Sequence, residues 1–144
     1  MLRRNCAGGI VFYEDQVLLL QNDKLEWSFP KGVVRQEEDP EELALSRVLH
    51  EAGVRAVSLG IAGQSSYEFY SIKRQRPVHN QVQWYLMTLA SENEQPNVQA
   101  NATEGFLAAG FFPVEEALER ITYSQDKSLL LLAYHRFREL RPVH

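Results

Sequence analysis

Apolar positions alternate first at the spacing of strands and later at the spacing of helices. Residues 6–13 and 16–22 are two apolar, β-branched runs separated by Glu14-Asp15, the pattern of a hairpin with a two-residue turn. Gly8 and Gly9 interrupt the first run, which points to a bulge, a close backbone approach to a ligand, or plain packing. From Asp39 the period changes. Asp39 suits an N-cap, Pro40 the first helical position, and Glu42 completes a capping box three residues on. Leu43, Ala44, Val48 and Ala52 form an apolar stripe, and Gly53 is a natural stop, so a helix is expected over residues 40–52. Strand-like runs follow at 54–72 and 81–90, with a basic hairpin or loop, Lys73-Arg74-Gln75-Arg76-Pro77, between them. Residues 91–105 are polar, contain Pro96, and read as a long loop. Phe111-Phe112 reads as a short closing strand, and helices are expected at about 114–120 and 125–140. A mixed sheet covered by helices follows from this order, an α/β chain.

The length of 144 residues suits a single domain over 1–144. An apolar fraction of 44% with 24% charged residues excludes intrinsic disorder. A formal charge of −4 argues against general binding to nucleic acid or anionic membranes, although a local basic patch stays open. No apolar run, Val17 to Leu20 and Leu129 to Ala133 included, approaches the roughly 20 residues of a membrane span. The two arginines near the N-terminus precede a stretch broken by Gly8 and Gly9 rather than a signal-peptide core, so a cytoplasmic location is expected. Cys6 is the one cysteine, which excludes an internal disulfide and reads as a packed thiol. Monomer and homodimer both stay open.

The chemistry lies between Gly32 and Val54. Gly32, Glu38, Val48, Glu51, Gly53 and Val54 stand at the spacings of G-x5-E-x7-R-E-U-x-E-E-x-G-U, where U is a large aliphatic residue. On these residues the chain resembles the Nudix hydrolases. The preceding Trp27-Ser28-Phe29-Pro30-Lys31-Gly32 is similar to the segment that leads into the box in hydrolases of dinucleoside polyphosphates and diphosphoinositol polyphosphates. Ala7-Gly8-Gly9 and residues 112–118 extend the resemblance over nearly the whole chain. It implies the Nudix fold, an α/β/α sandwich in which a mixed sheet lies between the box helix and the C-terminal helix.

A pyrophosphate is a polyanion, so its hydrolysis calls for a cation that neutralises charge and activates water. Positions 47, 50 and 51 share one helix face and would point into one site. In the family these are glutamates; here they are Arg47, His50 and Glu51. The exchange moves the local charge from about −3 to about 0 at neutral pH. Ser46 replaces the consensus arginine, and the 21-residue separation of Gly32 and Gly53 excludes a slipped register. The resemblance implies that Glu51, the Gly32 carbonyl and Glu104 hold Mg²⁺ or Mn²⁺, with Glu38 in support, and that binding of the ion is weak. Glu51 and Glu104 are the implied catalytic residues; Glu104 reads equally as a solvated loop glutamate.

Other residues carry paired readings. His50 is either a ligand or a surface histidine. Arg47 either pairs with Glu51 or forks to a substrate phosphate. Lys31 offers a point charge to phosphate. Lys73, Arg74, Arg76 and His79 form a basic cluster that is either a solvated hairpin tip or a polyphosphate patch. Tyr67 and Phe69 share a strand face that is either core or a platform for a base. The expected function is a pyrophosphohydrolase cleaving a nucleoside diphosphate linked to another moiety, a dinucleoside polyphosphate favoured, with weakened activity. The alternative is a Nudix domain that binds a phosphorylated ligand without cleaving it, as a sensor or regulator. In either case the partner is a small phosphorylated molecule.

Overall fold

A computed structural model describes residues 1–91 and 95–141. The elements run β1 (Leu2–Tyr13), β2 (Gln16–Asn22), β3 (Trp27–Ser28), β4 (Lys31–Val33), α1 (Pro40–Ala52), β5 (Ala56–Ser71) and β6 (Arg76–Leu89). A 3-10 turn (Ala102–Glu104), β7 (Phe106–Pro113), α2 (Val114–Arg120) and α3 (Ser124–Leu140) follow. The sheet order is β3-β2-β1-β6-β5, with β4 also on β1 and β7 also on β2. β1 and β6 run parallel and the remaining pairs antiparallel, which makes the sheet mixed.

Strand alternation sorts two cores to the two faces of this sheet. Cys6, Ile10, Phe12, Val17, Leu19, Val82, Trp84 and Leu86 pack under α2 and α3. Ala7, Val11, Leu18, Leu20, Tyr85, Met87 and Leu89 pack under α1, which contributes Ala44, Val48 and Ala52. Because β1 is covered on both faces, it reads as a nearly continuous apolar run. The result is the expected α/β/α sandwich. Among the described residues no helix is long and apolar enough to cross a membrane.

The caps of α1 form as expected. Asp39 Oδ2 accepts from the Glu42 N–H at 3.0 Å, and Gly53, at φ 71°, donates to the Leu49 carbonyl at 2.8 Å. The Glu14-Asp15 turn also forms, although Glu14 stands at φ 53° without glycine's freedom there. Tertiary bonds hold it: Tyr134 Oη donates to Asp15 Oδ1 at 3.0 Å and the Val114 N–H to the Asp15 carbonyl at 3.1 Å.

Three strands outrun their sequence pattern. β1 begins at Leu2 because its parallel ladder with β6 continues to Leu2 opposite Val78. β6 begins at Arg76, not at 81, because its ladder with β5 closes on Ser71 opposite Arg76. β7 covers eight residues rather than the Phe111-Phe112 pair, because it lies along all of β2 from Gln16 to Asn22. The expected 91–105 loop contains the 3-10 turn, and its residues 92–94 lie outside the described residues.

Packing explains Gly8. A Cβ there would lie 2.4 Å from Trp84 Cζ3 and 2.6 Å from the Pro30 carbonyl oxygen. Backbone cannot yield as a side-chain tip can, so Gly8→Ala is expected to destabilise by about 1–3 kcal/mol, the usual cost of overpacking. Urea unfolding of the variant measures this, and a change below about 0.5 kcal/mol, typical of a surface substitution, would refute it.

Candidate active site

The site begins on α1. Its apolar stripe faces β1, which leaves Arg47, His50 and Glu51 together at spacings of three and four on the adjoining face. Glu51 is the most enclosed of these, 2% exposed, beside Val48 and Ala52. The Arg47 guanidinium reaches along the helix to it: Nε donates to Glu51 Oε2 at 2.8 Å, and Nη2 lies 2.6 Å from the same oxygen. Arg47 thus forms the helical ion pair that the sequence offered as one of two readings.

Glu104 arrives from the 3-10 turn. Asn101 fastens that turn to the end of α1: its N–H donates to the Glu51 carbonyl and its Nδ2 to the His50 carbonyl, both at 3.0 Å. Asn101 Oδ1 also accepts from the Thr103 N–H at 3.1 Å, and Gly105, at φ 89°, closes the turn. Glu104 Oε2 is thereby held 3.1 Å from Arg47 Nη2, and its Oε1 lies 2.7 Å from His50 Nε2. One guanidinium therefore bridges two carboxylates that are far apart in the chain. Sequence reasoning missed Asn101, although an Asn before and a Gly after a single turn is a readable capping signal.

The electrostatics follow from burial. Desolvation pushes the Glu51 carboxyl above its usual range, against the hydrogen bond and charge of Arg47. Glu104 moves the other way, held down by the hydrogen bonds from His50 and then Arg47. Burial works against the Arg47 charge, but Glu51 and Glu104 more than offset it and raise its pKa. Glu51 Oε1 is enclosed and has no hydrogen-bond partner among the described residues.

Gly32 belongs to this cluster. Its absent Cβ would stand 2.9 Å from both Cγ and Cδ of Arg47, so the arginine's stem lies directly over the glycine. Glu38 does not join: it is exposed in the loop before α1, and its Oε1 accepts from the Arg35 N–H at 2.7 Å.

The next residue in the strand faces the other way. Lys31 pairs with Gly8 and Gly32 with Ala7, so alternation sends Lys31 through to the α3 side of the sheet. There it enters a cavity of about 510 Å³, within the common range for small-molecule sites, lined also by Arg4, Tyr67, Asn80, Trp84 and Asp126. Lys31 Nζ stands 5.7 Å from the centre of the Tyr67 ring. Tyr67 is a cavity wall rather than core: it is 37% exposed, its hydroxyl accepts from Asn80 Nδ2 at 2.9 Å, and its ring stacks on Phe69. Arg4 Nε donates to Asn80 Oδ1 at 2.9 Å, which orients the amide. Burial raises the pKa of Asp126, against the pull of Lys31. The Lys31 charge also favours ionised Glu51, but more weakly than Arg47 does, and burial still leaves the Glu51 pKa raised.

Lys73 and Arg74 are not brought in. Both are exposed at the β5–β6 tip and neither lines the cavity. Arg76 opens β6, and His79 Nδ1 lies 3.2 Å from Glu68 Oε1. Trp27 packs edge-on against Phe112. Arg4, Asn80, Trp84 and Asp126 were not singled out as site residues in the sequence, since polar residues in strands and at helix starts are ordinary there.

Fold and site together define an α/β/α protein with a charged helix face on one side of a mixed sheet and an aromatic, cationic cavity on the other. The NUDIX domain model matches residues 2–132, and the chain belongs to that family, pyrophosphohydrolases that act on phosphoric anhydride bonds and generally use divalent metals. It is 29% identical over 111 residues to a Mycobacterium tuberculosis protein given the mutator name MutT4, covering 76% of this chain and 42% of that one. It is 28% identical over 119 residues to the RNA pyrophosphohydrolase of Sulfurovum sp., covering 78% and 74%. The chain thus spans about two fifths of the first relative's length and three quarters of the second's. The crystal structure of a C. elegans Ap4A hydrolase binary complex superposes with a TM-score of 0.70 at 21% identity, over 94% of this chain and 98% of that one, a likeness of fold.

The donors that family chemistry would give to a divalent ion do not fit one as arranged here. Mg²⁺ asks for near-octahedral oxygen coordination. Both oxygens of Glu104 and one of Glu51 are engaged by Arg47 and His50. Among the described residues no three His, Cys, Asp or Glu side chains converge as ion ligands.

Proposed function

We propose that the protein is a pyrophosphohydrolase of a nucleoside diphosphate linked to another group, with a dinucleoside polyphosphate the favoured substrate and a rate well below that of a relative with three box glutamates. The observation that carries this reading is the position of Lys31 in the aromatic cavity, its ammonium over the Tyr67 ring. A base stacked in the aromatic cavity would leave its phosphates beside Lys31 on the α3 side of the sheet, and they would have to pass round β4, which pairs with β1 alone, to reach the α1 cluster. There the free Oε1 of Glu51 is the acceptor for a proton from the attacking water, and Lys31 and Arg47 counter the charge that gathers on the phosphate oxygens. The Pro30-Lys31-Gly32 lead-in supports the substrate class, and the RNA pyrophosphohydrolase relative supports pyrophosphate cleavage.

The test is hydrolysis of a panel of dinucleoside polyphosphates with Mg²⁺, with Mn²⁺ and with EDTA, products separated by ion exchange. Slow release of a nucleotide is expected. Turnover as fast as that of a three-glutamate relative would overturn the weakening, and neither turnover nor nucleotide binding would overturn the site.

The Arg47 bridge favours a second reading, a domain that holds a phosphorylated ligand without cleaving it, since guanidinium binds phosphate without metal. Calorimetric titration with nucleotide separates the two. Metal-free binding without turnover supports the binder; cleavage supports the enzyme.

A further inference from the structure

The two carboxylates that meet at α1 already share a cation. Arg47 is always charged in a protein, cannot surrender its proton, and is fixed by three contacts to Glu51 and Glu104. Two independent features build the molecule around it. Gly32 clears the space for the arginine's stem, where a Cβ would come within 2.9 Å of Cγ and Cδ. Asn101 holds the Glu104 turn against the last carbonyls of α1, so the second carboxylate is set in place by backbone bonds rather than by the guanidinium alone. Displacing Arg47 would break its charge-assisted bonds and strand a cation that is only 24% exposed. Leaving it in place sets a second cation against the first, with one free carboxylate oxygen to hold it.

We propose that Arg47 is the resident counter-ion of this site: it takes the carboxylates that a divalent ion would use, so the natural chain holds no such ion at Glu51 and Glu104, and removing the guanidinium opens a metal site there. This stands whether or not a nucleotide is cleaved, because it concerns the ion alone.

The experiment titrates Mn²⁺ into the full chain and follows the free-ion signal by electron paramagnetic resonance, with melting temperature as a second readout. The natural protein is expected to show no binding that Glu51→Gln abolishes, and no Mn²⁺-dependent rise in Tm. Arg47→Glu is expected to bind Mn²⁺ at least roughly tenfold more tightly, since affinity follows the number of charged ligands, and to melt higher as Mn²⁺ is added. Adding Glu51→Gln to Arg47→Glu should remove the gain. Arg47→Gln, which keeps most of the stem over Gly32, should gain binding in the same direction and decides the matter if Arg47→Glu does not fold. Tight Mn²⁺ binding by the natural protein that depends on Glu51, or folded Arg47 variants that bind no better, would overturn the proposal.

Discussion

Glu51→Gln should lower turnover of a dinucleoside polyphosphate by roughly 10²–10³-fold, within the range that a positioned base contributes to a rate. Glu51 is 2% exposed, its Oε1 is enclosed without a partner among the described residues, and glutamine keeps the shape and a bond to Arg47 while losing basicity. The pH dependence has a definite sign. A base must be ionised, and burial raises the Glu51 pKa, so the natural enzyme's kcat should rise with pH through a limb centred above the ordinary glutamate value of 4.5. In the variant that limb should disappear. For stability the sign reverses: the folded state holds the Glu51 proton more tightly than the unfolded chain, so this group's contribution falls as pH rises from the unfolded pKa through the folded one. A pH–rate profile and pH-dependent urea midpoints for both proteins check the two signs. An unchanged acid limb in Glu51→Gln would assign the base to another group.

Phe12→Ala is expected to have the largest effect on stability. Phe12 is fully buried in β1, stacks on Phe137 of α3 with centroids 4.8 Å apart, and meets Tyr134 at 5.7 Å. It therefore ties β1 to the C-terminal helix, whose Leu129, Leu130 and Ala133 pack in the same core. Truncating a buried phenylalanine costs about 3–5 kcal/mol, because the cavity adds to the lost transfer energy. At about 2–4 °C per kcal/mol for a chain near this size, Tm should fall by roughly 10 °C. The start of α3 carries Asp126 into the cavity wall, so nucleotide binding should weaken as well. Denaturant unfolding measures the first effect, and a loss below about 1 kcal/mol would mean that α3 does not depend on this contact.

The same residues mark what could be read in advance. Helix α1 was legible from end to end because its signals are local: Asp39 bonds three residues ahead and Gly53 four behind. The Glu14-Asp15 hairpin was legible from the alternation on either side of it. β1 from Leu2 to Asn5 was not, since Leu2 and Arg3 owe their strand to Val78 and His79, far along the chain. Tyr67 stood open between core and platform, as its strand pattern is the same in both cases and the choice depends on what lies opposite.

By itself the sequence determined the order of elements, the position of helix α1, and the presence of Arg47, His50 and Glu51 on one of its faces. Those follow from propensity, capping and spacing, which act over a few residues. Tertiary structure alone decided that Lys31 and Gly32 serve opposite faces of the sheet, and that Glu104, 57 residues from Arg47, shares its guanidinium with Glu51. The physical reason is range. Side-chain chemistry can be read at each position, but a charge acquires its partner only when the sheet and the Asn101 turn carry the two within hydrogen-bond reach.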